Sequence, residues 1–503
     1  LFIIAALKRH LSEPLRPFYA LFRSMPDLLI LIAIMFVDPF GFSNSTDERS
    51  KDVFYQVTSP FYPDTARDNI AVILIDDASL DTEFFDWPPS FDQYDTLLSS
   101  VATYAPKAVF FDLLFLDPRG QEDDLEFFAD NIRAIRDFKD TPVFAMGAAS
   151  IHAGTAECFS ESISVLPQIG DAVTDLPFFR FSGYGNDYPM YTMCNGRTLL
   201  SPAAELLKAV CSLDSNGSEL DGPCPDATLS NVQQITKTIP DAISIRWGEA
   251  TAPINQRLYP ASFDGEGSDC VPPSDKFIEK LLRSASYFIG AFSERLRPDI
   301  SENCIYHPHM SAFDLIVRAQ QASHVATADK AEQANASRKI LEDFLNNKVV
   351  LIGLDVAGVR DTVISPVQGT VPGVMAHAMA LDNALVLGSD LQHAAPVLFW
   401  EADGTDAIEI AGLLVLTLLR WRLASNAIAS SNSKPDSKRS YVRFALMALG
   451  CVAFFFALIA ATFFILRWSP INWIGLIGLG WAYIAFCYST TMQRPNADGY
   501  VHE

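Results

Sequence analysis

The sequence predicts an α/β fold: a mainly parallel central sheet flanked by helices, accompanied by about four transmembrane helices. Three observations lead there. Three short apolar runs each end on or near an acid or a glycine. Two uncharged runs near the C-terminus are long enough to cross a bilayer. The charge is also unevenly spread. Residues 38–419 hold 55 of the 60 acids but 25 of the 37 Lys and Arg, leaving 12 basic and 5 acidic residues to the two flanks.

Taken in order, residues 1–25 form a basic segment, with Lys8, Arg9, Arg16 and Arg23 against the single acid Glu13. Residues 26–37 follow as the first transmembrane helix, which starts as early as 18 if the chain tolerates Arg23 and Asp27. An interfacial helix is the alternative. Residue 1 is Leu, so no signal peptide is read from the start.

AVILIDDASL (71–80), KAVFFDLLF (107–115) and KVVLIG (348–353) are short and apolar, as central parallel strands are. The first ends on Asp76 and Asp77, the second on Asp112, and Asp361 follows the third. Between them, Pro89 and Ser90 open a helix carrying Tyr94, Leu97 and Leu98. DDLEFFADNIRAIRDF (123–138) is amphipathic, with Leu125, Phe128, Ile132 and Ile135 on one face. The interior 150–345 is cysteine-rich and loop-rich, and 326–347 has helical composition.

Cys158, Cys194, Cys211, Cys224, Cys270 and Cys304 all fall in that interior. An even, clustered set without a Cys-x-x-Cys pair favours disulfides over zinc, and so an oxidising compartment. Six free buried cysteines in a reducing compartment are the alternative. Sequence does not fix the pairing, but Cys211 with Cys224 closes a loop-like stretch and is the first choice.

Residues 401–492 contain three further spans, at about 407–420, 444–466 and 471–488, before the tail 493–503. The loop 420–443 holds Arg420, Arg422, Lys434, Lys438, Arg439 and Arg443 against Asp436, which places it in the cytoplasm. Parity then puts residues 38–400 outside and both termini inside.

A net charge of −23 argues against nucleic-acid binding. The phosphate-loop, nucleophile-elbow and zincin motifs are absent, so no enzymatic activity and no cofactor are expected. The carboxylates are the better site. In open α/β sheets the ligand crevice lies beyond the carboxyl ends of the strands, where Asp76, Asp77, Asp112 and Asp361 collect. Only one of Asp76 and Asp77 can point inward, because successive strand residues face opposite ways. Carboxylates gathered there repel one another, so a cation, a donor-rich ligand or a proton must balance them. No metal is assigned, although Asp76, Asp112 and Asp361 have the oxygen chemistry of a hard-cation site. Arg360 supplies an internal counter-charge, in which case the group is structural. Simple capping of the next helix or turn is a further alternative for each Asp. Trp87 is a candidate crevice residue or a packed aromatic, and His377 a proton sensor or a buried, satisfied histidine. Cys304-x-x-His307-x-His309 has metal-ligand types, but a disulfide uses Cys304 better.

The order Ile75-Asp76-Asp77-x-Ser79-Leu80, Trp87-Pro88, Phe111-Asp112-x-x-Phe115 and Val350-Leu351-Ile352-Gly353 resembles the CHASE2 domain. Asp361, Pro366, Pro372-Gly373-Val374, His377-Ala378 and Leu381-Asp382-Asn383 extend the resemblance over roughly residues 50–390. SPAAELLKAV (201–210) sits where that family has an apolar helix, and AISIRWG (242–248) where it has a strand. The resemblance implies an extracytoplasmic sensory module of a bacterial inner-membrane receptor. The expected function is sensing a ligand or docking a partner from the periplasm, with signals passed through the membrane helices. The expected ligand-binding residues are Asp76, Asp77, Trp87, Asp112, Arg360, Asp361 and His377. Family members usually continue into a cytoplasmic output module, whereas only the tail 493–503 follows the last span here. That favours, as the alternative, an accessory subunit anchoring a larger membrane complex. Expected partners are membrane lipid, another membrane or periplasmic protein and a second copy of the chain, with no nucleic acid.

Overall fold

A computed structural model describes residues 42–80, 85–147, 165–178, 187–194, 196–214, 224, 227–260, 270–291, 304–323, 328–359, 361–399, 402–429, 449–450 and 453–478. The chain divides into two compact units, Tyr55–Ala394 and a second built from its two ends, Leu1–Phe54 with Ala395–Glu503.

The larger unit is organised by a five-stranded, wholly parallel sheet. Its strands are β1 (Ile70–Asp76), β2 (Ala108–Phe111), β3 (Val143–Ala145), β6 (His309–Ser311) and β7 (Val349–Asp355). Their spatial order is β3-β2-β7-β1-β6, so β7 is inserted between the first two strands of the chain. The three apolar runs of the sequence are thus its three central strands. Strands buried on both faces must be apolar on both faces, and β1, β2 and β7 are.

Alternation divides their side chains between two cores. Ile70, Val72, Leu74, Phe110 and Leu351 join α4 (Pro202–Asp214) and α8 (Val374–Leu387). Ala71, Ile73, Ile75, Phe111 and Ile352 join α2 (Phe91–Ala102), α3 (Glu122–Phe138), α6 (Ala312–Ser323) and α7 (Ala328–Leu345). Ser90 caps α2 in a capping box with Gln93. Leu125, Phe128, Ile132 and Ile135 are all buried, as the amphipathic reading of α3 requires.

AISIRWG does contain a strand, limited to Ala242–Ser244 (β5), which pairs antiparallel with β4 (Asp187–Pro189) outside the central sheet. The segment around 306–316 supplies instead the edge strand β6 and the start of α6. Among the described residues two disulfides are present, Cys211–Cys224 and Cys270–Cys304. Cys158 lies outside the described residues, and the side chain of Cys194 is not described either.

In the smaller unit, α1 (Phe42–Thr58) meets the C-terminal part of the chain around Asn472. The Asn472 side-chain amide donates to Thr46, its backbone N–H donates to Glu409, and the Trp473 indole donates to the Ser50 carbonyl. α9 runs from Gly404 to Ala429, continuing through the basic residues at which a span was expected to stop. Asp406, Glu409, Arg420 and Arg422 interrupt its apolar character. Among the described residues no helix is long and apolar enough to cross a membrane. Residues 26–37 lie outside the described residues, as do parts of 444–466 and 471–488.

The Cys211–Cys224 bridge joins the end of α4 to a loop at a sequence separation of 13. Replacing both with Ser lowers unfolding free energy by about 2–3 kcal/mol in the loop-closure picture. Denaturant unfolding of the oxidised protein checks this, and non-reduced peptide mapping should recover both linked pairs.

Candidate functional site

The site is built from four separated segments. Asp112 is the first residue after β2, and its N–H donates to Ile352 O at 2.8 Å, extending the ladder on β7. By alternation its side chain falls on the face covered by α4 and α8. After β7 the chain turns and reaches Asp361. It then makes the hairpin of β8 (Thr362–Ser365) and β9 (Gly369–Pro372) and enters α8. His377 lies in the first turn of α8, with side-chain exposure of 2% against 9% for Asp112. His377 Nε2 is 3.4 Å from Asp112 Oδ1, and Nδ1 is 2.7 Å from the Tyr188 hydroxyl of β4. That hydroxyl accepts from the N–H of Ala203 in α4. With Tyr188 donating to Nδ1, the Nε2–H is left to donate to Asp112, giving a polar chain from Tyr188 through His377 to the carboxylate.

Asp361 completes the group. Burial pushes its carboxyl up to about 6, the Asp112 carboxylate adds to the rise, and His377 opposes it. Its backbone carbonyl accepts from Gly373 N–H at 2.8 Å. A Cβ at Gly373 would sit 2.3 Å from Asp361 Oδ1, so this glycine is what lets the carboxylate lie against the start of α8. Negative charge is favoured at such a helix N-terminus. Gly353 acts similarly one layer down, where a Cβ would lie 2.5 Å from Val374 Cβ and force α8 off β7.

Asp76 and Asp77 belong to a different group. In register, Asp76 is opposite Asp355 of β7, two strands and two residues from Asp112, a backbone separation of roughly 12 Å. Asp76 Oδ1 accepts from Ser79 N–H at 2.9 Å, from Ser79 Oγ at 2.5 Å and from Ser311 Oγ at 2.8 Å. It therefore caps the turn Asp77–Leu80 and ties it to β6. Asp77 accepts from the Ala357 N–H. Burial, then Asp76 and Asp77, raise the Asp355 carboxyl. The expected common crevice of Asp76, Asp112 and Asp361 is thus two neighbouring acid groups on one sheet edge, and capping is the role of Asp76.

Trp87 precedes α2 and leaves half its surface exposed. Arg360 lies outside the described residues. Among the described residues no His, Cys, Asp and Glu are grouped with the geometry to hold a metal ion. Cys304 is in a disulfide, and His309 stacks on Tyr259 with burial holding it down at about 4. His307 is 3.3 Å from Asp382.

That last contact belongs to a buried network. Asp382, wholly buried in α8, accepts from the Tyr62 hydroxyl at 2.5 Å, and Asn383 donates to Tyr62 Oη and to the carbonyls of Arg246 and Met379. Burial, followed by Asp382, drives the Tyr62 phenol far above its usual value.

The family model for the CHASE2 domain, a sensory domain family, matches residues 28–419, most of the chain. The chain belongs to the CHASE2 family. No curated protein and no solved structure matches it significantly. The motif residues of the resemblance now have physical roles. Asp112, Asp361, Gly373 and His377 build the candidate site, Gly353 seats α8, and Asp382 and Asn383 lock it. Tyr188 and Tyr62 carry no local sequence signal, and His307 stands out only in the Cys304-x-x-His307-x-His309 pattern, which points to metal ligands rather than to Asp382. Asp355 alone was within reach, lying on the predicted strand's face two residues past Gly353.

The raised carboxyl of Asp361 gives a pH-dependent stability. The folded protein holds this proton up to about pH 6, whereas an unfolded Asp releases it near 4, so stability falls as pH rises through that window. Asp361→Asn removes the penalty. It should raise stability at pH 7 by about 1 kcal/mol, discounted for partial solvent screening, and have no effect below about pH 4. Thermal melts of both proteins from pH 3.5 to 7.5 measure the difference.

Proposed function

We propose that this CHASE2 protein senses a small cationic or donor-rich ligand at Asp112, Asp361 and His377. The observation that carries the reading is the convergence of two carboxylates and an imidazole from separate segments at the carboxyl edge of a parallel sheet. A ligand donating to both carboxylates relieves their repulsion, and a proton on Asp361 does the same, so ligand and proton compete. The role is non-enzymatic. Both nitrogens of His377 are engaged within the protein, and its ring is 2% exposed, which leaves no base facing a substrate.

We further propose that the domain faces the periplasm of a bacterial inner membrane, held by spans within about 18–37, 404–429, 444–466 and 471–488, each segment at least 18 residues long. Charge asymmetry around loop 420–443 and the disulfides support this arrangement. Signals would then pass through these helices to a membrane or periplasmic partner.

Thermal shift with a panel of diamines and guanidino compounds tests the site. Stabilisation is expected at pH 7.5, with loss at pH 5.5 and a tenfold or greater loss of affinity in Asp112→Asn. Purification from native membranes distinguishes the alternative, since a stoichiometric protein partner without any ligand response would make the chain an accessory subunit.

For the topology, Ser437→Cys should resist a membrane-impermeant maleimide in intact cells with other thiols blocked, and react after permeabilisation. Labelling of intact cells would invert the arrangement.

A further inference from the structure

The helix α5 (Phe277–Gly290) is amphipathic, yet it turns its apolar side outward. Phe277, Ile278, Leu281, Leu282 and Ile289 are 50–69% exposed. At helical spacing they fall, with Ala285, in one stripe about 140° wide. The opposite, polar side is the one that packs on the domain. Ser284 is buried and donates to Val57 O at 2.6 Å, and Arg283 lies 3.3 Å from Glu249. Beneath them is a cavity of about 20 Å³ lined by Ser59, Glu249, Lys280 and Arg283, room for no more than a water molecule. Burial raises the Glu249 carboxyl. Phe277 also meets Phe61, itself 37% exposed, at 5.7 Å between ring centroids, which extends the apolar surface beyond the helix.

We infer that α5 lies in the lipid–water interface of the membrane, with its apolar stripe among the acyl chains. This goes beyond the membrane placement proposed above and rests on it. With 14 residues, about 21 Å, the helix is too short to cross a hydrocarbon core of about 30 Å, so it lies in the plane. Two observations select lipid as the occupant. A polar side satisfied by the domain and an apolar side left outward is the reverse of a helix that completes a soluble core. The carbonyl that anchors α5 also belongs to Val57, in the segment that follows the proposed first span.

The test uses the full chain reconstituted in phosphatidylethanolamine–phosphatidylglycerol vesicles, with Phe277→benzoylphenylalanine as a photo-crosslinker. Vesicle flotation is measured on the same sample. A phospholipid mass adduct is expected at position 277. A control, Phe138→benzoylphenylalanine, at a side chain 88% exposed at the end of α3, should give none. Leu281→Glu combined with Leu282→Glu should cut the adduct several-fold without changing the melting temperature, because both side chains already face outward. A chain that floats but yields no adduct, or only a crosslinked dimer, overturns the interfacial helix while leaving the membrane anchor standing. A chain that does not float overturns both.

Discussion

The close approach of α8 to β7 is the constraint on which the larger unit depends. Helix and strand can touch here because Gly353 presents no Cβ to Val374. Immediately before Val374, Gly373 leaves the same kind of space for Asp361. With α8 seated, His377 is delivered to Asp112 and Tyr188, and about one and a half turns later Asp382 and Asn383 reach Tyr62, His307 and the backbone of Arg246. One helix therefore carries both the polar group at the sheet edge and the buried network that fixes its orientation. Removing a partner from such a network leaves buried donors without acceptors, a larger loss than any one of its bonds contributes.

The acids of the sheet edge differ in kind because their surroundings do. Asp76 is saturated by hydroxyls and an N–H, the usual way a carboxylate serves a turn. Asp361 is partly buried beside the Asp112 carboxylate, which His377 only partly offsets, so its charge is costly to maintain. Residue type alone does not separate these roles. Partners do.

The central strands were legible because burial on both faces leaves a continuous apolar run, which few other elements produce at that length. The helix α3 was legible because one face is buried and the period is unambiguous. The edge strand β6 was not, since the three residues His309, Met310 and Ser311 carry no pattern, and neither was the antiparallel pairing of β5. At the site, the carboxyl ends of the apolar runs pointed to Asp112 and Asp361. The partition of Asp76 into a separate group needed the register of β1 on β7, which a single sequence does not encode locally. Tyr188 was illegible because it arrives from a different layer, through a two-strand ladder remote from the motif segments.

The insertion of β7 between β1 and β2 also bears on how the protein is made. β7 is the last of the five strands to be synthesised, yet it is central in the sheet. Until it emerges, β1 and β2 have no ladder between them and present apolar, unpaired edges. Such long-range parallel pairing is slow to form and exposed to aggregation meanwhile. The exposed edges of the early strands are therefore covered only once the end of the domain has been delivered.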